Sequence, residues 1–169
     1  MPISPYVRAL RERVGTALLL LPSVTAIIYD ADGRILLVRE RDGGVWSTPG
    51  GVIEPDETPA DAVVREAWEE TGLLVAPVRL MGVYGGPGFV VRYASGDQVQ
   101  YVMSVFACEP RGGTLRPAGD ETADARWFSE RDAAALPLSP WLPPMLPTFF
   151  ARPTVADFHP PAWTPPPEA

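Results

Sequence analysis

Residues 51–73, GVIEPDETPADAVVREAWEETGL, carry the densest set of structural and chemical signals in the chain. Thr58 is a good helix N-cap, Pro59 suits a first helical turn, and Gly72 is placed to end a helix. Together they predict a helix over 59–71. Small and apolar residues repeat at helical spacing within it and predict one core-facing stripe: Ala60, Val63, Val64, Ala67 and Thr71.

Three acidic residues of this helix stand close together. Glu66, Glu69 and Glu70 occupy positions i, i+3 and i+4, so they lie within about 100° of arc, next to the apolar stripe. Like charges at this spacing destabilise an exposed helix by about 0.2–0.5 kcal/mol per pair, and partial burial raises that cost. Arg65 is the only base in the helix, and we expect it to project to the other side. The expected counter-charge is therefore Mg²⁺ or Mn²⁺, because hard cations prefer oxygen ligands.

The segment before the helix extends this cluster. Glu57 adds a fourth carboxylate, and it follows the pair Gly50 and Gly51. Paired glycines let the backbone approach a ligand closely, and a carbonyl oxygen there is suited to complete a metal shell. A cation beside phosphate oxygens offsets their charge, activates water and stabilises developing charge. Each glutamate taken alone is typical of a solvated surface, so the whole pattern carries the prediction.

The same 23 residues resemble the Nudix box, G-x5-E-x7-R-E-U-x-E-E-x-G-U, in which U is a bulky aliphatic residue. Eight positions match it outright: Gly51, Glu57, Arg65, Glu66, Glu69, Glu70, Gly72 and Leu73. Ala67 fills the first U position and is smaller than the usual residue there. The resemblance implies an α/β (α+β) fold, an α/β/α sandwich around a mixed β-sheet. The box would then form a loop–helix–loop that binds metal ions and a diphosphate.

The resemblance also implies roles for individual residues. It implies four metal ligands: the side chains of Glu66, Glu69 and Glu70 and the carbonyl of Gly51. Glu57 and Arg65 would support and orient these acids. The general base in this family is either a box glutamate or an acid from a later loop. Glu121 is the candidate in that loop, and a solvated loop glutamate is the alternative interpretation.

Substrate choice depends on residues outside the box, as functions generally do on a shared fold. Tyr84, Phe89 and Arg92 either contact the base or phosphate of a substrate or simply pack within strands and loops. Trp46, just before Gly50, either shapes the pocket next to the box or caps the core beneath it. These four residues and Gly50 are therefore candidates for substrate binding, and the four retain their packing alternatives.

The reaction implied is Mg²⁺-dependent cleavage of a diphosphate bond in a nucleoside diphosphate linked to another moiety. An ADP-ribose-type nucleotide sugar and a dinucleotide are examples of such a substrate. One alternative is a nucleoside triphosphate pyrophosphohydrolase of the sanitising type. Another is a non-catalytic module that senses a nucleotide sugar. The intact acid set argues against that last alternative, since a binding module needs no water-activating site.

The overall charge restricts the classes of partner. The chain has 21 acidic and 14 basic residues and a net charge of −7, which argues against a protein that coats nucleic acid. A small phosphate-bearing substrate remains compatible when a metal ion supplies positive charge. All 14 basic residues are arginine. A Walker-type GxxxxGK loop and a Schiff-base lysine are therefore excluded.

The chain has one cysteine and one histidine, which restricts the kinds of disulfide, catalytic and metal site it can form. Cys108 is expected to be a small apolar residue within a strand, and no intrachain disulfide can form, which fits a cytoplasmic location. His159 lies in a proline-rich tail, which disfavours catalytic triads and histidine-based metal sites. The apolar stretch 17–21 is too short to cross a membrane, and we see no signal peptide.

Three segments organise the chain: an N-terminal helical extension at 1–20, a Nudix domain at 21–137 and a proline-rich arm at 138–169. Ser4 and Pro5 predict that the extension contains a helix over 4–14. Strands are predicted at 24–29, 35–39, 74–84, 98–107 and 125–128, and a short helix at 129–135. The first two strands flank a turn and are predicted to form a hairpin.

The C-terminal arm is rich in proline, since 11 of the 21 prolines fall in the last 33 residues of the chain, and it is predicted to be extended. Trp141, Phe149 and Phe150 predict that its first part packs on the body of the protein or on a partner. Its last ten residues are expected to be disordered. The N-terminal helix and the arm both need a surface to pack on. A second copy of the chain in a homodimer would supply one, and so would the body of a monomer.

Overall fold

The computed structural model of the protein describes residues 4–41, 44–117 and 122–165. Four α-helices lie within these ranges: α1 Pro5–Val14, α2 Pro59–Thr71, α3 Glu130–Ala134 and α4 Leu146–Ala151. The strands there are β1 Leu18–Ile28, β2 Ile35–Glu40, β3 Trp46–Ser47, β4 Gly50–Val52, β5 Leu73–Tyr84, β6 Val90–Arg92, β7 Gln98–Gly113 and β8 Thr122–Phe128. The predicted helices over 4–14 and 59–71 are confirmed.

Two sheets form the centre of the fold. The larger has the order β4-β1-β7-β5, with β6 also paired to β7. Strands β1 and β7 run parallel and the other pairs run antiparallel, so this sheet is mixed, as predicted. The smaller sheet has the antiparallel order β3-β2-β8. The site described below lies where β4 and β1 meet α2.

Side chains alternate between the two faces of β1 and bury both. Val24, Ala26 and Ile28 pack with the buried residues of α2. Ile27 faces the opposite side and packs with Phe149 of α4. Residues 24–28 of β1 are all buried and are apolar apart from Thr25, as expected of a segment buried on both faces. Helices therefore cover both faces of the sheet, which confirms the predicted α/β/α arrangement.

The terminal segments pack on this body. Val7 of α1 is buried against Leu21 and Val99. In the C-terminal segment, Leu142 and Phe149 are fully buried, which confirms that its first part packs on the protein. Residues 160–165 have no regular secondary structure, and the remaining four residues of the tail lie outside the described ranges. No helix in the described ranges is long and apolar enough to span a membrane.

The hairpin predicted from residues 24–29 and 35–39 is wrong beyond its turn. Tyr29 and Ile35 form a single antiparallel bridge. Past that pair the strands diverge, and β2 pairs with β3 and β8 in the smaller sheet. Strand β7 occupies one edge of β1 along its whole length, and β4 with the Pro49 carbonyl occupies the other edge at residues 23–26, so β2 cannot pair along β1.

The predicted core-facing stripe of α2 is also partly wrong. Ala60 is exposed and Val64 is only half-buried. The residues that α2 buries are Ala62, Val63, Glu66, Ala67 and Thr71. The buried face is therefore rotated relative to the prediction, and it includes an acidic residue. Glu66 lies on the buried face itself and not at its edge.

Candidate active site

Local sequence fixes both ends of α2. The Thr58 hydroxyl oxygen accepts a hydrogen bond from the Asp61 N–H at 3.2 Å, and Pro59 follows at the first helical position. Gly72 ends the helix in the left-handed conformation, with φ of +68°. A Cβ atom at Gly72 would lie 2.8 Å from the Thr114 carbonyl oxygen, so a side chain there would also collide with the backbone. Because both ends of α2 are fixed, its glutamates occupy fixed positions beside β4.

Arg65 is the hub of the acidic cluster. Its Nε donates to Glu57 at 2.6 Å and its Nη2 donates to the other Glu57 oxygen at 2.9 Å. Its Nη1 donates to Glu66 at 2.8 Å and to Glu69 at 3.1 Å. Nη2 also donates to the Val52 carbonyl oxygen in β4, at 3.1 Å. One guanidinium therefore ties the loop, the helix and the strand together.

This arrangement overturns the prediction that Arg65 projects to the other side of the acids. The arginine stem is long and flexible, and residue i+4 of a helix lies on the same side as residue i. Its head can therefore reach Glu69 and the preceding loop together. Arg65 supplies part of the counter-charge that the sequence analysis assigned to a metal ion alone.

Glu57 is held from two directions. The Arg65 guanidinium bonds both of its oxygens, and the Glu54 N–H donates to one of them at 3.0 Å. The hydrogen bond from Arg65 is the main reason that the pKa of Glu57 lies below its usual value, although burial acts in the opposite direction. The same bond raises the pKa of Arg65. The pair therefore stays ionised at neutral pH, as a supporting role requires.

Glu70 reaches the glycine pair of β4. One of its carboxylate oxygens accepts a hydrogen bond from the Gly50 N–H at 3.2 Å. Gly51 is buried opposite Val24 in the β1–β4 ladder. A Cβ atom at Gly50 would lie only 2.2 Å from the Val24 carbonyl oxygen. The absence of a side chain at Gly50 is therefore what allows β4 to lie this close to β1, beside the acids of α2.

The acids offer carboxylate oxygens, which is the donor chemistry that Mg²⁺ and Mn²⁺ prefer. Within 4–41, 44–117 and 122–165, no three Asp, Glu, His or Cys side chains converge as a metal-ligand set in this arrangement. Arg65 contacts Glu66 and Glu69, and a bound cation would require these carboxylates to turn from it. The Glu69 side chain is 56% exposed and so has room to turn. The carboxylate oxygens of these glutamates are therefore suitable ligands for a hard divalent cation.

The structure places two substrate-binding candidates within the core. Trp46 is buried and meets Phe128 edge-to-face at 4.9 Å between ring centroids. Tyr84 is also buried, and its hydroxyl donates to a carboxylate oxygen of Asp157 at 3.0 Å. Both placements favour the packing alternative. Asp157, in the proline-rich tail, carried no signal in the sequence that linked it to Tyr84.

Of the other outlying candidates, Phe89 contacts Tyr84 and Arg92 does not. Phe89 stacks on Tyr84 at 6.4 Å and is half-buried. Arg92 is exposed and pairs with Gln98 of β7, whereas Tyr84 pairs with Met103. Since strand residues alternate between faces, Arg92 and Tyr84 lie on opposite faces of the sheet. Glu121, the candidate base in the later loop, lies outside the described residues.

Sequence reasoning missed one polar side chain next to the glycine pair. Thr48 is 5% exposed, and its hydroxyl oxygen has no hydrogen-bond partner among the residues that the structure describes. It lies two positions before Gly50, and the carbonyl oxygen of the intervening Pro49 accepts from the Ala26 N–H at 2.8 Å. The available signal was that Thr48 and its neighbour Ser47 place hydroxyl groups directly before Pro-Gly-Gly.

Comparison with known proteins decides the family. A family model described as the NUDIX domain matches residues 19–149. The chain belongs to the Nudix family. This match covers both sheets, α2, α3 and the first part of α4, so the resemblance seen in 23 residues extends over most of the chain.

Individual relatives agree with the family. A MutT-like protein from Streptomyces ambofaciens is 42% identical over 60% of this chain and 59% of its own length. An ADP-ribose pyrophosphatase from Methanocaldococcus jannaschii is 38% identical over 60% and 57%. The chain thus spans about three fifths of these curated relatives. The crystal structure of an ADP-ribose pyrophosphatase from Streptococcus suis is similar with a TM-score of 0.65 and 28% identity, covering 81% of this chain and 96% of that one.

Proposed function

We propose that this Nudix protein hydrolyses a diphosphate bond in a nucleoside diphosphate linked to another moiety, with Mg²⁺ or Mn²⁺ as cofactor. The observation that carries the proposal is the Arg65 hub, which holds Glu57, Glu66 and Glu69 beside the point where Glu70 meets Gly50. A cluster of acids fixed so closely against a glycine pair is suited to a cation and a phosphate chain. Glutamates that are merely solvated at a surface need no arginine to hold them in fixed positions.

Each residue would contribute in a distinct way. Glu66, Glu69 and Glu70 would hold the cation, with the carbonyl of Gly51 as a further ligand. Bound there, the cation would offset phosphate charge and lower the pKa of a bound water. The bidentate bond between Glu57 and Arg65 fixes the guanidinium, and through it the helix relative to the loop. The general base is a box glutamate or Glu121.

Two relatives favour different substrate classes. The 38%-identical relative is named an ADP-ribose pyrophosphatase, which supports a nucleotide sugar or dinucleotide. Another, from Bacillus subtilis, is 35% identical and is named a putative 8-oxo-dGTP diphosphatase, which supports the triphosphate alternative. We favour the first class because the Streptococcus suis structure, matched over 96% of its length, also carries the ADP-ribose pyrophosphatase name.

A substrate panel tests the proposal. ADP-ribose, other nucleotide sugars, dinucleoside polyphosphates, and canonical and oxidised nucleoside triphosphates are each incubated with Mg²⁺ or Mn²⁺. We expect two phosphomonoester products from a nucleotide sugar, separated and identified by mass. Release of pyrophosphate from a triphosphate alone would select the sanitising alternative. Tight binding of one nucleotide sugar without turnover would replace hydrolysis by the sensing alternative.

Metal binding has a separate readout in thermal stability. We expect Mg²⁺ to raise the Tm of the wild type, because it relieves repulsion between acids in the folded state. At ten times the dissociation constant the rise is about 3–6 °C for a chain of this size. Glu66→Gln is expected to show a smaller rise, and Glu109→Gln, at an exposed position on β7, the full rise. Equal responses in all three proteins would remove Glu66 from the ligand set.

A further inference from the structure

A second group of basic side chains lies at the far end of β1, away from α2. Arg79 of β5 pairs with Ala107 of β7. Tyr29 follows β1 on the other side of β7, and its N–H donates to the Cys108 carbonyl oxygen at 3.3 Å. Tyr29 and Ala107 belong to the core cluster on the face opposite α2. Because Ala107 carries only a methyl group, Arg79 has room to lie toward Tyr29.

Arg152 approaches Tyr29 from the C-terminal segment. It follows α4 in the left-handed conformation, with φ of +51°, at a position that usually holds glycine or asparagine. Its guanidinium carbon lies 4.0 Å from the centroid of the Tyr29 ring. The Tyr29 hydroxyl donates to the Phe149 carbonyl oxygen at 2.6 Å. The end of α4 therefore fixes the ring and the arginine stacked on it.

Neither arginine has an acidic partner among the residues described. The Nη1 atom of Arg79 is buried and has no hydrogen-bond partner there. The neighbouring carboxylates are engaged elsewhere: Asp30 and Asp32 with Arg34, Glu109 with Arg111, and Asp157 with Tyr84 and His159. Burial raises the pKa of Tyr29 to about 12, and the charges of Arg152 and Arg79 both oppose that rise. Both guanidinium groups thus lie within electrostatic reach of one phenol.

We propose that Arg79 and Arg152 form an anion site beside Tyr29 that binds a phosphate group, either free or as a phosphomonoester. Guanidinium groups match phosphate oxygens in geometry and charge, and a buried N–H without a partner is costly. Tyr29 lies four residues past Thr25, the partner of Gly50, which is about 13 Å along the strand. It also lies on the face opposite α2. This site is therefore separate from the acidic cluster.

Thermal unfolding in EDTA tests the site without cations on the α2 acids. Inorganic phosphate and glycerol phosphate are each compared with sodium chloride at equal ionic strength. At ten times the dissociation constant we expect the Tm of the wild type to rise by about 3–6 °C. Arg152→Gln, at an exposed position, should lose this rise, whereas Arg126→Gln, at an exposed position on β8, should keep it. A response to only one of the two phosphates identifies which form binds.

Arg79→Met separates binding from simple packing. Without phosphate its Tm should not fall below that of the wild type, because the variant no longer buries an unpaired guanidinium. With phosphate the wild type should become the more stable protein. An equal deficit of the variant in both buffers, no phosphate response in the wild type, or the same response in Arg152→Gln would overturn the proposal. If Arg79→Met does not fold, the comparison of Arg152→Gln with Arg126→Gln decides the matter alone.

Discussion

Glu70→Gln is expected to lower kcat on the preferred substrate with Mg²⁺ by more than about 100-fold. Loss of a residue that only supports a metal ligand typically costs 10- to 100-fold, so loss of a proposed ligand should exceed that range. The fold should survive, because the amide oxygen of glutamine can still accept the hydrogen bond from the Gly50 N–H. The measurement is the initial rate of product release at saturating substrate and cation.

Glu130→Gln is the matched control for that variant. Glu130 lies exposed in the first turn of α3, far along the chain from the box, and the same change removes the same charge. We expect it to leave kcat within about two-fold, since surface changes of this kind are usually almost neutral. Equal rates for Glu70→Gln and the wild type, with equal unfolding curves, would remove Glu70 from the metal site.

The helix of the site was predictable because its signals are local. Thr58, Pro59 and Gly72 act through hydrogen bonds and backbone angles within a few residues, and the structure places the helix bounds where they predict. The spacing of Glu66 and Glu70 follows from helical geometry alone. Chemistry that depends on such spacing can therefore be inferred from a single sequence.

The sheet was less predictable because its pairings are not local. Strand β1 pairs in parallel with β7, and the register joins Leu18 to Gln98. No turn signal links residues so far apart, whereas the turn after Tyr29 suggested a local partner for β1 that the structure does not provide. Which strands pair with β1 depends on the fold as a whole, so local sequence patterns do not reveal the partners.

Side-chain direction was the other limit of prediction. Arg65 has several rotatable bonds, and helical position alone does not decide whether its head turns to Glu57 or away. Trp46 and Tyr84 are aromatic residues for which burial and ligand contact look the same in a sequence. In both cases the deciding contacts come from segments that meet only in the folded chain, such as Phe128 against Trp46.

Arg65→Leu is expected to destabilise the protein by about 2–4 kcal/mol in EDTA. Removal of one partner of a buried ion pair costs about 3–5 kcal/mol, and the partial exposure of this cluster reduces that figure. The exposed fractions are 29% for Arg65, 20% for Glu57 and 8% for Glu66, so the acids left without it remain largely buried. Arg111→Leu, which breaks an exposed pair with Glu109, should cost at most about 1 kcal/mol.

Mg²⁺ distinguishes a structural Arg65 from one that shares its acids with a cation. If Glu66 and Glu69 are metal ligands, Mg²⁺ replaces the lost counter-charge, so it should stabilise Arg65→Leu more than it stabilises the wild type. Urea unfolding with Mg²⁺ and with EDTA measures both differences. Activity should still fall, because Glu57 then no longer holds the helix to the loop. If Mg²⁺ stabilises the variant no more than the wild type, Arg65 and the cation do not act on the same carboxylates.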